Sequence, residues 1–411
     1  MTRDRCEEVW RSEAPQVLAA LLRRSGDFET CEDAVQEALL AAAGQWPMQG
    51  VPDNPRAWLI RVASRRLIDH QRNHTARTQR ELETATHAPA DTQYVESAAS
   101  SALAPHGDDT LQMLLLCAHP ALSDASRVAL TLRAVAGLTT AQIAAGFLVP
   151  EATMAQRISR AKGTLRAAGS RFKAPTSADL PDRLHAVRHV LYLTFNEGYT
   201  TSSGTSLIDT DLASEAIRVA ERLHGSIPED TETSGLLALM LLTHARAPAR
   251  TNHRGDLVPL AEQDRSLWNR DLIARGTTLI EQALPAGPAG PFQLQAAIAA
   301  IHGEAATAEA TDWLQITMLY RMLDRLVPSP TVTLNLAVAV GMAHGPTAGL
   351  DALKPLLEQA DQQRNHRVHA AHAHLLELTG NTAAAEDAYR LAARLTGSIP
   401  EQRYLNRQAG Y

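Results

Sequence analysis

Cys31-Glu-Asp-Ala-Val-Gln-Glu-Ala-Leu39 and, across a proline-rich turn, Pro55-Arg-Ala-Trp-Leu-Ile-Arg-Val-Ala63 set an acidic amphipathic helix beside a basic one. A second basic helix, Pro150-Glu-Ala-Thr-Met-Ala-Gln-Arg-Ile-Ser-Arg160, follows well downstream. Two basic helices on separate small helical units suit a protein that touches one DNA duplex at two places.

Around the first pair, residues 5–75 read as one helical unit. Leu18, Leu21, Leu22, Val35, Leu39, Leu40, Trp58, Ile60, Val62 and Leu67 fall at helical spacings. Asn54-Pro55 is a helix start, because Asn caps free backbone N–H groups and Pro lacks the N–H that would have no partner in the first turn. Residues 76–107, rich in Thr, Ser, Ala, His and Pro without an apolar period, are expected to form a flexible linker. A second unit spans 108–173. In it Thr139-Thr-Ala-Gln142 fits a capping box, Gly146-Phe-Leu148 a turn, and Pro150 the start of a further helix. That is the pattern of a helix-turn-helix, whose second helix enters the major groove.

After a break at 173–179, residues 180–411 are again helical and carry no comparable basic face. Gly345-Pro-Thr-Ala348 and Gly380-Asn-Thr-Ala383 recur near the ~34-residue period of tetratricopeptide repeats. The expectation is an all-α chain of three domains, the last partly repeat-like.

The 411 residues allow two or three domains, and the abundance of alanine and leucine favours helix. A net charge of −6 would not suggest nucleic acid by itself, but the basic residues gather at a few sites within the first 173 positions. Cys6, Cys31 and Cys117 lack metal or disulfide spacing. No stretch reaches the roughly 20 apolar residues of a membrane span and no secretory leader is visible, so a cytoplasmic chain with no membrane partner is expected.

Three helices carry the chemistry. On 55–71 and the next residue, Arg61, Arg65, Arg66 and Arg72 supply charge for phosphates, while Trp58 and His70 supply flat surfaces for unpaired bases. The plainer reading is a solvated basic face with Trp58 in the core. On 151–165 and the next residue, Arg157, Arg160, Lys162 and Arg166 line one side, and Met154, Ile158 and Leu165 form an apolar seam. Gln156, Ser159 and Arg160 would point at a groove, where Gln suits adenine and Arg guanine. The acidic helix Glu32-Asp33…Gln36-Glu37 would be repelled by DNA, and so either meets a protein partner or is a solvated face.

These residues resemble a known family. Glu32–Glu37, Arg56–Ala63, Leu138–Ala145, Val149–Thr153 and Arg157–Ala161 are similar to regions 2 and 4 of extracytoplasmic-function (ECF) sigma factors of the sigma-70 family. The resemblance implies that region 2 binds the β′ clamp helices of core RNA polymerase and opens the −10 element. Region 4 would bind the β flap and read the −35 element of promoter DNA. Carried over, Asp33, Gln36 and Glu37 meet the clamp. Trp58, Arg61 and Arg65 face the −10 strand, and Gln156, Arg157, Ser159, Arg160 and Lys162 serve the −35 groove. His189–Tyr199, Gly290–Ile301, Thr311–Trp313 and Pro328–Asn335 resemble the subgroup with a long tetratricopeptide-like extension. Ala152, Ala155 and Leu336 depart from its pattern.

Asn196, Glu197 and Tyr199 are candidate interdomain contacts at a helix end. His366, His369, His372 and His374 lack a completing Cys or carboxylate, so no metal is expected; nor is a cofactor or catalysis, since phosphate-loop, GxSxG and HExxH patterns are missing. The expected function is promoter-specific initiation with core RNA polymerase, controlled by the extension through an unknown protein partner or ligand. The alternative is a polymerase-independent helix-turn-helix regulator whose helical domain senses a ligand or protein.

Overall fold

The structure is a computed structural model that describes residues 3–82, 110–147, 149–169, 179–199, 210–360 and 362–410. Among these residues the regular elements are helices, with one isolated bridge between Thr251 and Leu257, so the all-α expectation holds. No helix among them is long and apolar enough to cross a membrane. The chain divides into two compact units, Met1–Leu191 and Tyr192–Tyr411.

The first unit opens with α1 (Arg3–Ser25), α2 (Phe28–Gln49) and α3 (Pro55–Leu82). Val17, Leu18, Leu21 and Leu22 of α1 pack with Cys31, Val35, Ala38 and Trp46 of α2 and Leu59, Ile60, Ala63 and Leu67 of α3, all buried. Leu40 does not join them: it is 72% exposed. The buried stripe of α2 runs through 31, 35, 38, 42 and 46, and Leu40 lies on the far side of the helix. The start of α3 is built as the sequence implies, with the Asn54 side chain accepting the Ala57 N–H at 2.9 Å. Helix α3 continues to Leu82, into the expected linker, whose residues 83–107 lie outside the described ones.

Next come α4 (Thr110–Cys117), α5 (Asp124–Ala134), α6 (Thr140–Gly146) and α7 (Glu151–Ala167). Met113, Leu114, Val128, Leu130, Leu132, Ile143, Met154, Ile158 and Leu165 bury the second core of this unit. The capping box at α6 closes in both directions. The Thr139 N–H donates to Gln142 Oε1 at 2.8 Å, and the Gln142 N–H donates to Thr139 Oγ1 at 3.1 Å. The first turns of α8 (Leu180–Tyr199) belong with these helices, since Arg183 donates to the Leu115 carbonyl at 3.1 Å.

The second unit runs from the end of α8 through α9 (Thr210–Ser226), α10 (Thr231–His244), α11 (Arg270–Ala283), α12 (Pro291–Glu304) and α13 (Trp313–Leu326). It ends with α14 (Pro330–His344), α15 (Pro346–Glu358), α16 (His366–Leu378), α17 (Thr382–Leu395) and α18 (Ile399–Gln408). Short polar side chains start these helices repeatedly: Asp230, Asn269, Asp312, Ser329, Asn365 and Asn381 each accept an N–H of the first turn. The recurrent glycines sit where the repeat reading puts them. Gly345 turns α14 into α15 at φ 98° and Gly380 turns α16 into α17 at φ 82°, a region that favours glycine.

Helices α10 and α12 touch through Gly235. A Cβ there would lie 2.7 Å from the Gln293 backbone nitrogen and 2.9 Å from its Cα. Gly235→Ala is therefore expected to destabilise the second unit by about 1–3 kcal/mol, as overpacking does. Gly225→Ala, with nothing within 4 Å, should gain up to about 1 kcal/mol of helix propensity instead. Denaturant midpoints of the two variants check the opposite signs.

Candidate functional site

Helix α2 starts at Asp27, whose carboxylate accepts the Glu29 N–H at 3.1 Å. Its apolar stripe turns inward, and Glu32 lies on the edge of that stripe at 3% exposure. A carboxylate taken so far out of water is costly unless cations and hydrogen bonds meet it. Two cations do. Arg133 Nε, from the end of α5, donates to Glu32 Oε1 at 2.9 Å, and Lys162 Nζ, from α7, donates to Oε2.

Lys162 also reaches Asp33 Oδ1 at 3.1 Å, and Arg133 donates to the Leu138 carbonyl at 3.2 Å. Arg166 of α7 pairs with Glu29. The acidic helix and the second helix of the helix-turn-helix thus meet along a strip of opposite charge. Burial alone would raise the Glu32 pKa, but Lys162 and Arg133 together outweigh it and hold the carboxyl below its usual range.

The three residues expected at the clamp are each engaged within the first unit. Asp33 pairs with Lys162 and keeps half of its side chain exposed. Gln36 lines a cleft of about 400 Å³ together with Leu39, Leu40, Arg133, Thr139 and Gln142. Glu37 lies 3.3 Å from Arg66 Nε.

On α3, Arg61, Arg65 and Arg66 are exposed along one side. Trp58 is half-buried, edge-on to Trp46 with ring centroids 5.5 Å apart, and Trp46 in turn lies 6.1 Å from Trp10. Trp58 therefore anchors α3 on α2 with part of its surface and leaves the rest at solvent. The side chains of His70 and Arg72 lie outside the described residues.

On α7, Met154, Ile158, Ala161 and Leu165 are buried while Gln156, Ser159 and Arg160 are exposed, and Arg157 is half-buried. Lys162, expected to serve the same groove, does not share the exposed face of Gln156, Ser159 and Arg160. Two residues beyond Arg160 is about 200° around the helix, which turns Lys162 onto α2 with an 11% exposed side chain.

In the second unit, the Arg250 guanidinium lies 3.7 Å over the Tyr199 ring and donates to the Tyr199 carbonyl. Tyr199 also stacks on Phe195, with centroids 5.6 Å apart. Asn196 and Glu197 are half-buried beside it. Of the clustered histidines, His366 Nε2 lies 3.1 Å from Glu401 and His369 Nε2 lies 2.8 Å from the Gln363 carbonyl. His374 is 3.9 Å from Glu377, so these side chains face different partners.

Sequence reasoning did not find Arg133, nor Glu32 as its buried partner. One signal was there: Glu32 sits at helical spacing with Phe28, Val35 and Leu39, and an acid on an apolar stripe calls for a cation.

Both helical groups of the first unit have counterparts among known proteins. Residues 9–77 match the family described as Sigma-70 region 2, and residues 112–165 match Sigma-70, region 4. Residues 183–284 match a family of unknown function, DUF6596. An uncharacterized protein of Rhizobium meliloti is 41% identical over 397 residues, covering 97% of this chain and 93% of its own length. A protein of Mycobacterium tuberculosis, described as a probable ECF RNA polymerase sigma factor, SigI, is 31% identical over 166 residues. That match covers 39% of this chain and 53% of the relative. No solved structure matches. The first unit thus carries matches to regions 2 and 4 of sigma-70 in order, and a long helical extension follows them.

A depressed carboxyl pKa stabilises above the unfolded value and loses that contribution as pH falls through the folded value. Glu32→Gln should therefore cost the first unit about 1–3 kcal/mol at neutral pH, by stranding two largely buried cations. The deficit should begin to shrink as pH falls below about 4.3, where the carboxyl of the unfolded chain takes up its proton, and be gone once the native carboxyl is protonated at its lower value. Denaturant titrations of both proteins across pH 3–7 check this, and equal midpoints at neutral pH would contradict it.

Proposed function

We propose that this chain is an RNA polymerase sigma factor that recruits core polymerase to particular promoters through region 2 and region 4, without making or breaking bonds itself. The observation that carries the reading is the joint presence, in order, of both sigma-70 regions, each with an exposed basic surface. In this reading Asp33, Gln36 and Glu37 of α2 contact the β′ clamp helices. Arg61 and Arg65 neutralise phosphates of the melted −10 strand, and the exposed part of Trp58 stacks on its bases.

Helix α7 enters the −35 major groove with Gln156, Ser159 and Arg160 toward base edges and Arg157 toward phosphate. Region 4 also contacts the β flap. The second unit regulates these contacts in response to a protein or ligand. Its support is that the extension forms a compact unit of its own, and that a relative of nearly the same length keeps it.

Reconstituted transcription with purified core polymerase and a promoter library tests this. The expected result is initiation that depends on the chain. Arg160→Ala should weaken use of selected promoters by about 1–3 kcal/mol in binding, with relaxed preference at one −35 position. A form ending at Pro175 should change the yield if the extension regulates. Tight binding to bare duplex with no initiation would replace this reading by a polymerase-independent regulator.

A further inference from the structure

We infer that the second unit holds a binding site for a small anion bearing a phosphate or carboxylate group, with Arg246 as its central donor and Arg265, Tyr192 and Tyr320 around it. This gives a ligand class to the regulatory unit proposed above. The use of the site in regulation rests on that reading, whereas the binding itself does not.

Segments far apart in the extension converge at this place. From α8, the Tyr192 hydroxyl lies 3.4 Å from Gln295 Oε1 of α12, and its ring meets Phe292 edge-on with centroids 5.4 Å apart. Two turns further along α12, His302 meets Trp313 edge-on at 5.2 Å. Tyr320 of α13 lies within electrostatic reach of both Tyr192 and Arg246, and Asn335 of α14 lies beside its hydroxyl. Hydroxyl, amide and guanidinium groups from five parts of the chain are thus gathered together.

The group is positively charged and short of counter-charge. Arg246, just after α10, is half-buried; its Nε is buried and meets no acceptor, and it forms no ion pair among the described residues. Arg250 and Arg265 both lie within electrostatic reach of it. Arg265 donates to the His302 and Ala305 carbonyls at 2.8 and 2.5 Å, and its guanidinium sits 4.6 Å over the Trp268 ring. Glu309, in range of Arg265, is exposed, and Glu401, in range of Arg250, lies 3.1 Å from His366. Burial, Arg246 and Arg265 push the His302 imidazole down to about 4, so at neutral pH it adds no charge.

A cation withdrawn from water is costly unless paired, and one set beside two like charges is costlier still. A bound anion removes that cost. A guanidinium presents a planar fork of N–H donors that fits the oxygens of phosphate or carboxylate, and the Tyr192 and Tyr320 hydroxyls can donate to the same group. Tyr192, Arg246, His302 and Tyr320 are each half-buried and Asn335 is exposed, so a small solute can reach them.

Isothermal titration calorimetry on the full-length chain, without polymerase, tests the site. The probes are inorganic phosphate, pyrophosphate and citrate, each against sodium chloride at equal ionic strength. Saturable one-site binding of at least one probe is expected. A preference for phosphate or pyrophosphate assigns a phosphorylated ligand, and a preference for citrate assigns a carboxylate. Arg246→Gln should weaken binding about tenfold or more, as loss of a charged hydrogen-bond donor does. Arg246→Lys should weaken it less. Arg394→Gln, which removes the same charge from the exposed side of α17, should leave it unchanged. In anion-free buffer Arg246→Gln should unfold no earlier than the unaltered chain, because it relieves like-charge repulsion; an arginine with a purely structural role would give the opposite shift.

No saturable binding of any probe, equal affinity in Arg246→Gln, or a lowered Tm of Arg246→Gln in anion-free buffer would overturn the site. Since polymerase is absent from these titrations, that failure leaves the sigma reading standing. A chain that binds the anion yet supports no initiation would remove the sigma reading and keep the site.

Discussion

One carboxylate organises the first unit. Glu32 is drawn below the surface because α2 must bury Cys31, Ala34, Val35 and Ala38 around it. Once there, it needs compensation that no neighbour on its own helix provides. Arg133 and Lys162 supply it from two other helices, and the contact between α2 and α7 follows from that need. Hydrophobic burial builds each three- or four-helix core, but it says little about how two such cores meet. The shared charge does, because it ties particular residues of α5 and α7 to one place on α2.

The two faces of α7 divide the work. Its apolar seam of Met154, Ile158, Ala161 and Leu165 locks the helix onto α5 and α6. The capping box at Thr139 and Gln142 fixes where α6 begins, and so the angle at which α7 is presented. Gln156, Ser159 and Arg160 remain at solvent, free for a duplex, while Lys162 is turned onto α2. The side chains that would read DNA and the side chain that binds region 2 thus occupy different sides of one helix.

How much of this was legible in the sequence depended on range. Asn54 capping α3, the Thr139–Gln142 box, and the turns at Gly345 and Gly380 act within three or four residues, and each is found where the sequence implied. The helix-turn-helix was readable for the same reason. Periodicity gave the helices but not always the right stripe: Leu40 lies outside the core because the buried line of α2 passes through Val35, Ala38 and Ala42. Lys162 was read as one more basic residue facing DNA. Its partner is 130 residues away, and no local pattern encodes such a pairing. Trp58, open to both a packing and a stacking reading, has a surface for each.

Helices α2 and α7 should be held together by the Glu32 pairing. Gln45 of α2 and Ala152 of α7 are both exposed, so spin labels on cysteines placed there would report the separation directly by pulsed dipolar spectroscopy. The unaltered chain should give one short, narrow distance distribution, and Glu32→Gln should broaden or lengthen it. An identical distribution in the Glu32→Gln variant, or an unaltered chain already broad and long, would contradict the organising role of the Glu32 pairing.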